Sequence, residues 1–372
     1  MKVFHCDHCG QLVFFENTTC LNCAHLLAFL PGIADLSAME AVDATLWKSL
    51  TQNGSRKWRL CTNYSRENVC NWAIPDSDSN PLCLSCRLTR VIPNLSFPEN
   101  KSAWCRLESA KRRLIYTLLD MGLPILNKAD DPLHGLEFAF LADDAATNCP
   151  VLSGHEDGVI TINIAEADDS EREKRRNALA EPYRTVLGHF RHEIGHYYWD
   201  RLIRDSDRLV SFREVFGDEQ VDYAQALTKH YQNGPPANWQ LNFVSAYASA
   251  HAWEDWAETW AHYLHMSDAL QTAMVTGLSL RPRDDGEPAV SRAMLKAGET
   301  GTFDQMIDAW FPLTYIINNL NRGLGLADGY PFVLSPKVIE KLRFIHETIA
   351  GGAQLAKSKT SIPPVVQTAG TR

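Results

Sequence analysis

The chain of 372 residues has room for about two to three domains at roughly 100–200 residues each. Its 45% hydrophobic and 22% charged content is that of a globular protein with a sizeable core. With Lys+Arg 36 against Asp+Glu 45, the net charge of -9 argues against broad electrostatic binding to DNA, RNA or an anionic membrane.

At the start of the chain, His5, Cys6 and His8 stand where a signal peptide needs an apolar run. Apolar runs elsewhere are short, and Leu26–Leu30 stops at Pro31. The expectation is a cytoplasmic protein with no transmembrane helix. Ten cysteines in such a chain point to metal ligation rather than disulfides, and eight of them precede residue 90. Cys6-x2-Cys9 and Cys20-x2-Cys23 each present two thiolates to one side, and two such turns close a tetrahedron around Zn²⁺. Gly10 suits the tight backbone after the first pair. His5, His8 and His25 lie nearby, but four thiolates already complete a site. Ser37 and Glu40 form a capping-box pattern that predicts a helix to about residue 50. Cys61, Cys70, Cys83 and Cys86 make a second four-cysteine set, of which only one half is a CxxC pair. Eight Lys/Arg (2, 48, 56, 57, 59, 66, 87, 90) balance eight Asp/Glu (7, 16, 35, 40, 43, 67, 76, 78) up to residue 90. A nucleic-acid reader normally shows a basic excess, so this head, residues 1–95, reads as a structural or protein-docking module with two structural zinc ions.

Two prolines and two asparagines over residues 91–100 mark the joint to a body spanning 101–350. Apolar spacing predicts a helix over 102–121, stopped by Gly122. Strands follow at 136–141 and 159–165; the second alternates apolar and polar residues and is expected to offer an edge to an extended peptide. The charged run 168–176 reads as solvated. Helices are expected over 182–203 with Pro182 in the first turn, then 218–231, 253–274, 303–320 and 337–350. Cys105 and Cys149 stand alone and read as small buried hydrophobes. The tail, 351–372, follows Gly351-Gly352 without periodicity and is expected to be disordered. Few strands ahead of many helices make the body α+β and mostly helical.

Within the helix expected at 182–203, His192-Glu193-Ile194-Gly195-His196 is an HExxH motif. Residues four apart share a helical face, so both imidazoles reach one metal while Glu193 leans over its open position. With 13 His in the chain, chance supplies such a match about 0.02 times. A catalytic zinc needs a third protein ligand. No further histidine follows in metzincin spacing, and Asp200 reads as a surface or supporting residue. The better source is Trp253-Glu254-Asp255-Trp256-Ala257-Glu258, with two glutamates one turn apart.

HEIGH followed by a helix carrying WEDWAE resembles a gluzincin, in which the third zinc ligand is a glutamate on the next helix. The pattern Tyr247-x6-Glu254-x3-Glu258 is similar to the zinc centre of the anthrax lethal factor peptidase domain. Over about residues 1–350, with phrases such as CRLTRVIPNLS, RHEIGHYYWDRL and YPFVLSP, the chain resembles uncharacterised bacterial zinc-binding metallopeptidases with an N-terminal zinc ribbon. The resemblance implies a zincin-like fold, one catalytic zinc on His192, His196 and Glu254, and a peptide or protein substrate. It also implies Glu193 as general base toward a metal-activated water, Tyr247 as a donor to the oxyanion, and Glu258 as the partner of a ligand histidine. His189 and His251 near these motifs read as structural, and Trp239, Asn242 and Arg322 as candidate rim residues. Two alternatives stand beside this reading. One is a non-catalytic scaffold whose head recruits a partner, against which the intact Glu193 weighs. The other is a nucleic-acid-associated protease of the SprT-like kind, against which the neutral head weighs.

Overall fold

The computed structural model describes residues 1–51, 56–143, 151–172, 185–282, 284 and 286–360. The head opens with a ribbon of β1 (Phe4–His5) and β2 (Leu12–Val13). An antiparallel meander follows: β3 (Leu26–Leu30), β4 (Asp35–Ala41), β5 (Leu46–Ser49), β6 (Lys57–Leu60) and β7 (Ala73–Pro75). The helix expected from Ser37 to about residue 50 is instead the β4–β5 hairpin. Tertiary partners outweigh the local capping pattern here. The Ser37 hydroxyl donates to one oxygen of Asp7 at 2.7 Å, and the Ala38 N–H donates to the other at 2.6 Å. Asp43 Oδ1 then accepts from the N–H groups of Thr45 and Leu46, which builds the turn.

After β7 comes β8 (Thr89–Val91), then the irregular joint, then α2 (Pro98–Asp120) with proline in its first turn; the single turn Thr62–Ser65 in the head is α1. Helix α2 is the seam of the molecule. Tyr116 closes an aromatic cluster with Phe4, Phe15 and Phe29, and Trp72 packs behind them. The buried Arg112 donates to the Val69 carbonyl at 2.6 Å, and Arg113 donates to Glu16 at 3.0 Å. Cys105 lies half-buried on the same helix against the core.

The body's sheet has the order β10-β11-β9-β8, with β9 (Glu137–Leu141), β10 (Gly154–Glu156) and β11 (Val159–Asn163). Strands β8, β9 and β11 run parallel, and β10 is antiparallel to β11. The strand expected over 159–165 as an open edge is Val159–Asn163 and lies inside the sheet, and residues 164–165 already belong to the following turn Ile164–Ala167. Asp157 and Gly158, at φ 47° and 83°, fold β10 back over it in the two-residue turn that matches strand twist.

Seven helices follow among the described residues: α3 (Val186–Leu202), α4 (Arg208–Phe216), α5 (Tyr223–Asn233), α6 (Ala252–Val275), α7 (Arg292–Thr300), α8 (Phe303–Gly323) and α9 (Pro336–Thr360). Thr185 caps α3, its hydroxyl oxygen accepting from the Gly188 N–H at 2.9 Å; Pro182 and Cys149 lie outside the described residues. The sequence pattern predicts neither α4 nor α7. The helix expected from 218 starts only at Tyr223, behind the cap Asp222, because Glu219 turns back to pair with Arg213. Helix α9 continues past Gly351-Gly352 to Thr360 where disorder was expected. A Cβ on Gly352 would meet Leu202 Cδ2 at 3.1 Å, so its bare backbone lets α9 lie against α3. Residues 361–372 of the expected tail lie outside the described residues.

Small sheets beside predominant helices give an α+β chain, and among the described residues no helix is long and apolar enough to cross a membrane. What positions the site is the crossing of α3 and α6. At Gly195 a Cβ would sit 3.0 Å from Ala257 Cα and 3.1 Å from Trp260 Cβ. The Trp256 indole N–H donates to the Gly195 carbonyl at 2.8 Å, and Tyr198 stacks on Trp260. One turn of α3 thereby faces one turn of α6, residues 192–196 against 254–258.

Candidate metal centre

The head holds two groups of four thiols. Cys6 and Cys23 bring their sulfurs to 3.6 Å, as do Cys9 and Cys20, and the four sulfurs lie within 4.8 Å of one another. Thiolates about 2.3 Å from a tetrahedral ion stand roughly 3.8 Å apart, so the spacing suits Zn²⁺. Gly10 and Ala24, each just after a CxxC pair, both take positive φ (74° and 60°) to close their knuckles. His8 and His25 stack with ring centroids 3.9 Å apart and come within ligand range of Cys23, while His5 is exposed on β1. Cys61, Cys70, Cys83 and Cys86 form the second group, all four buried. There the N–H groups of Cys83, Trp72 and Cys86 each point at a cysteine sulfur at 3.4 Å, which favours thiolates.

The third group joins the two helices of the body. His192 Nε2 and His196 Nε2 are 3.1 Å apart, and Glu254 Oε2 lies 3.1 Å from the first and 3.6 Å from the second. Ligand atoms about 2.0–2.2 Å from a tetrahedral ion stand roughly 3.3–3.6 Å apart. Glu254 is 1% exposed, and its Oε2 has no hydrogen-bond donor. A buried carboxylate oxygen without a donor, aimed at two imidazole nitrogens, is the donor set of a zinc with an open fourth position. These residues fit the metal.

Around them, His192 and Glu254 are held at their far ends by hydrogen bonds, while His196 Nδ1 has none and its ring is held by packing. Glu258 Oε1 accepts from His192 Nδ1–H at 2.7 Å; a carboxylate can only accept, so the Nε2 lone pair is left for a metal. The Ser245 hydroxyl donates to Glu258 Oε2 at 2.6 Å. His196 packs its ring on Trp253 at 3.7 Å. Tyr223 donates its phenol hydrogen to Glu254 Oε1 at 2.6 Å. Tyr247 sits just ahead of α6 with its ring 6.0 Å from that of His192.

Charge follows this geometry. Burial works to raise the Glu254 carboxyl, but His196 and His192 outweigh it and hold it well below the usual range. For Glu193, burial again works upward, but the hydrogen bond from His189 and the charges of His189, His192 and His196 together outweigh it and leave a lowered pKa. Burial and the Glu254 carboxylate push the Tyr223 phenol up, so it stays a donor.

Of the remaining expected residues, His251 caps α6 by accepting from the Trp253 N–H, and Asp200 pairs with Arg204. Trp239 lines a cavity of about 320 Å³ together with Ser245 and Phe332. The Asn242 carbonyl accepts from Lys341, and Arg322 forks onto Asp328. Sequence reasoning missed Tyr223, Ser245 and Glu166, and read His189 as structural although it touches Glu193. For Tyr223 a local signal existed in the cap Asp222, which fixes where α5 begins, and for His189 in its four-residue spacing from Glu193; Ser245 and Glu166 meet partners 13 and 23 residues away.

Over residues 100–348 the chain matches a family model described as "Putative zinc-binding metallo-peptidase", and over residues 3–97 a zinc-ribbon domain model. Uncharacterised proteins of Mycobacterium bovis and of two strains of Mycobacterium tuberculosis are 45% identical to it over 350 residues, 94% of this chain and 95% of theirs. No solved structure matches it.

Proposed function

The chain belongs to this zinc-binding metallo-peptidase family, and from that premise we propose that it hydrolyses peptide bonds as a gluzincin, with Zn²⁺ on His192, His196 and Glu254. The observation that carries the reading is the convergence of two imidazole nitrogens and the donor-less Glu254 Oε2 beside Glu193. When bound, the metal supplies Lewis acidity toward a water and the scissile carbonyl. The rest falls to the chain's own side chains. Glu193, kept ionised, takes the proton of the attacking water and returns it to the leaving nitrogen. Tyr247 donates a hydrogen bond to the oxyanion. Glu258 fixes the His192 tautomer, and Tyr223 occupies one oxygen of Glu254 so that the other faces the histidines.

In the same reading the two four-cysteine groups hold structural zinc, and the balanced head docks protein rather than nucleic acid. The site works in the cytoplasm on a peptide or protein. A proteomic cleavage profile tests the activity: new N-termini should appear with the wild type and vanish with Glu193→Gln. Identical profiles from both proteins, with zinc bound, would refute hydrolysis at this site.

A further inference from the structure

We propose that Glu166 and His189 are a positioning pair that holds the general base Glu193 by one carboxylate oxygen and leaves the other for the proton. This rests on the peptidase reading and deepens it. His189 lies in the first turn of α3, four residues before Glu193, so both share one face of the helix. Its Nδ1 is 2.5 Å from Glu166 Oε2, and its Nε2 is 3.0 Å from Glu193 Oε1. Ionised carboxylates only accept, so both contacts are hydrogen bonds when the ring carries a hydrogen on each nitrogen. A cationic imidazole bridges two carboxylates.

Glu166 is itself immobilised. It is 1% exposed, on the turn Ile164–Ala167 that follows β11. The Ser153 hydroxyl donates to its Oε1 at 2.5 Å, and the Asn163 N–H donates to Ser153 Oγ at 3.0 Å. The rigid end of the sheet is thereby linked through His189 to the base. On Glu193 itself the division is sharp: Oε1 is taken by His189, while Oε2 is buried with no hydrogen-bond partner. A carboxylate held at one oxygen is hindered from rotating, which favours one direction for its other oxygen. That removes reorganisation from the proton transfer.

A plain structural staple between sheet and helix would make a different prediction. Losing a staple lowers stability and zinc retention; losing a positioner lowers turnover with both intact. The experiment uses the zinc-loaded full chain and a mixed library of quenched-fluorescence peptides, with kcat and KM read on the best-cleaved member. In Glu166→Gln and His189→Gln, kcat should fall about 10–100-fold with KM within about twofold and zinc content unchanged. Crystals of both variants should show the Glu193 carboxylate turned away from its wild-type rotamer. Wild-type kcat in a folded His189→Gln, or an unmoved Glu193 rotamer in either variant, overturns the proposal. Should one variant not fold, the other carries both readouts. If the wild type cleaves no peptide, the peptidase reading fails, and the Glu193 rotamer alone decides the positioning.

Discussion

Tyr223 donates to Glu254 Oε1 at 2.6 Å, the oxygen of the carboxylate that does not face the two histidines. The phenol belongs to α5, outside the two helices that carry the three converging groups. Tyr223→Phe should therefore keep the catalytic zinc under excess metal but weaken its affinity by about 10-fold, because Glu254 is free to turn. Chelator competition on the purified protein measures it. An unchanged affinity would show that α6 alone orients the carboxylate.

Glu254 Oε2 faces His192 Nε2 across the metal position while Glu258 accepts from Nδ1 of the same imidazole, so their removal should differ in kind. Glu254→Ala should empty the catalytic position and leave about two zinc ions per chain in the head. Glu258→Ala should retain that zinc with roughly 10–100-fold lower affinity. Anomalous diffraction at the zinc edge separates the two. Full occupancy in Glu254→Ala together with loss in Glu258→Ala would reverse the roles.

In the proposed mechanism Tyr247→Phe removes one donor to the oxyanion while keeping the aromatic ring that packs beside His192. Turnover should drop by about 10²–10³-fold while zinc content and KM stay near wild type. A variant with wild-type kcat would leave Tyr247 as a packing residue against His192 and His230.

Metal content tests the head. Two four-cysteine groups and one two-histidine, one-glutamate group imply about three zinc ions per chain. Chelation should unfold the head, since structural zinc supplies folding free energy there, and expose Phe29 and Trp72 to solvent. Indole fluorescence and elemental analysis follow both events. A ratio near one, with all head thiols reactive, would contradict the two-site head.

Gly195 tests the helix crossing. In Gly195→Ala the new methyl meets Ala257 and Trp260 at about the limit of contact, and the helices must part by a few tenths of an ångström. Overpacking of this kind costs about 1–3 kcal/mol, read by denaturant unfolding. Gly32→Ala, where a Cβ meets nothing within 4 Å, is the control and should change little.

What could be read from the sequence was what depends on local spacing. The helical period puts His192 and His196 on one face, and the CxxC pairs bring thiols together over ten intervening residues. Glu254 and Glu258 are one turn apart for the same reason, and the choice between them rests on a resemblance and on the place of Glu254 at the start of its helix, where a carboxylate is favoured. What escaped depends on partners far along the chain. Ser37 and Glu40 look like a cap until Asp7, thirty residues earlier, takes the Ser37 hydroxyl. Glu166 and His189 meet only because the end of β11 lies beside the start of α3. Asp157-Gly158 is the exception: its turn signal was local, and reading it would have closed the edge of β11.

The placement of β8 has a consequence for how the molecule can be divided. This strand lies on the head side of the joint, yet it hydrogen-bonds to β9 in the body. A fragment cut at Pro98 would uncover β9 along one whole side and strip Tyr116 and Arg112 of their partners in the head. Unpaired strand edges and bare aromatic faces drive aggregation. The head thus covers surfaces that the body would otherwise expose, and a cut at the joint uncovers both halves at once.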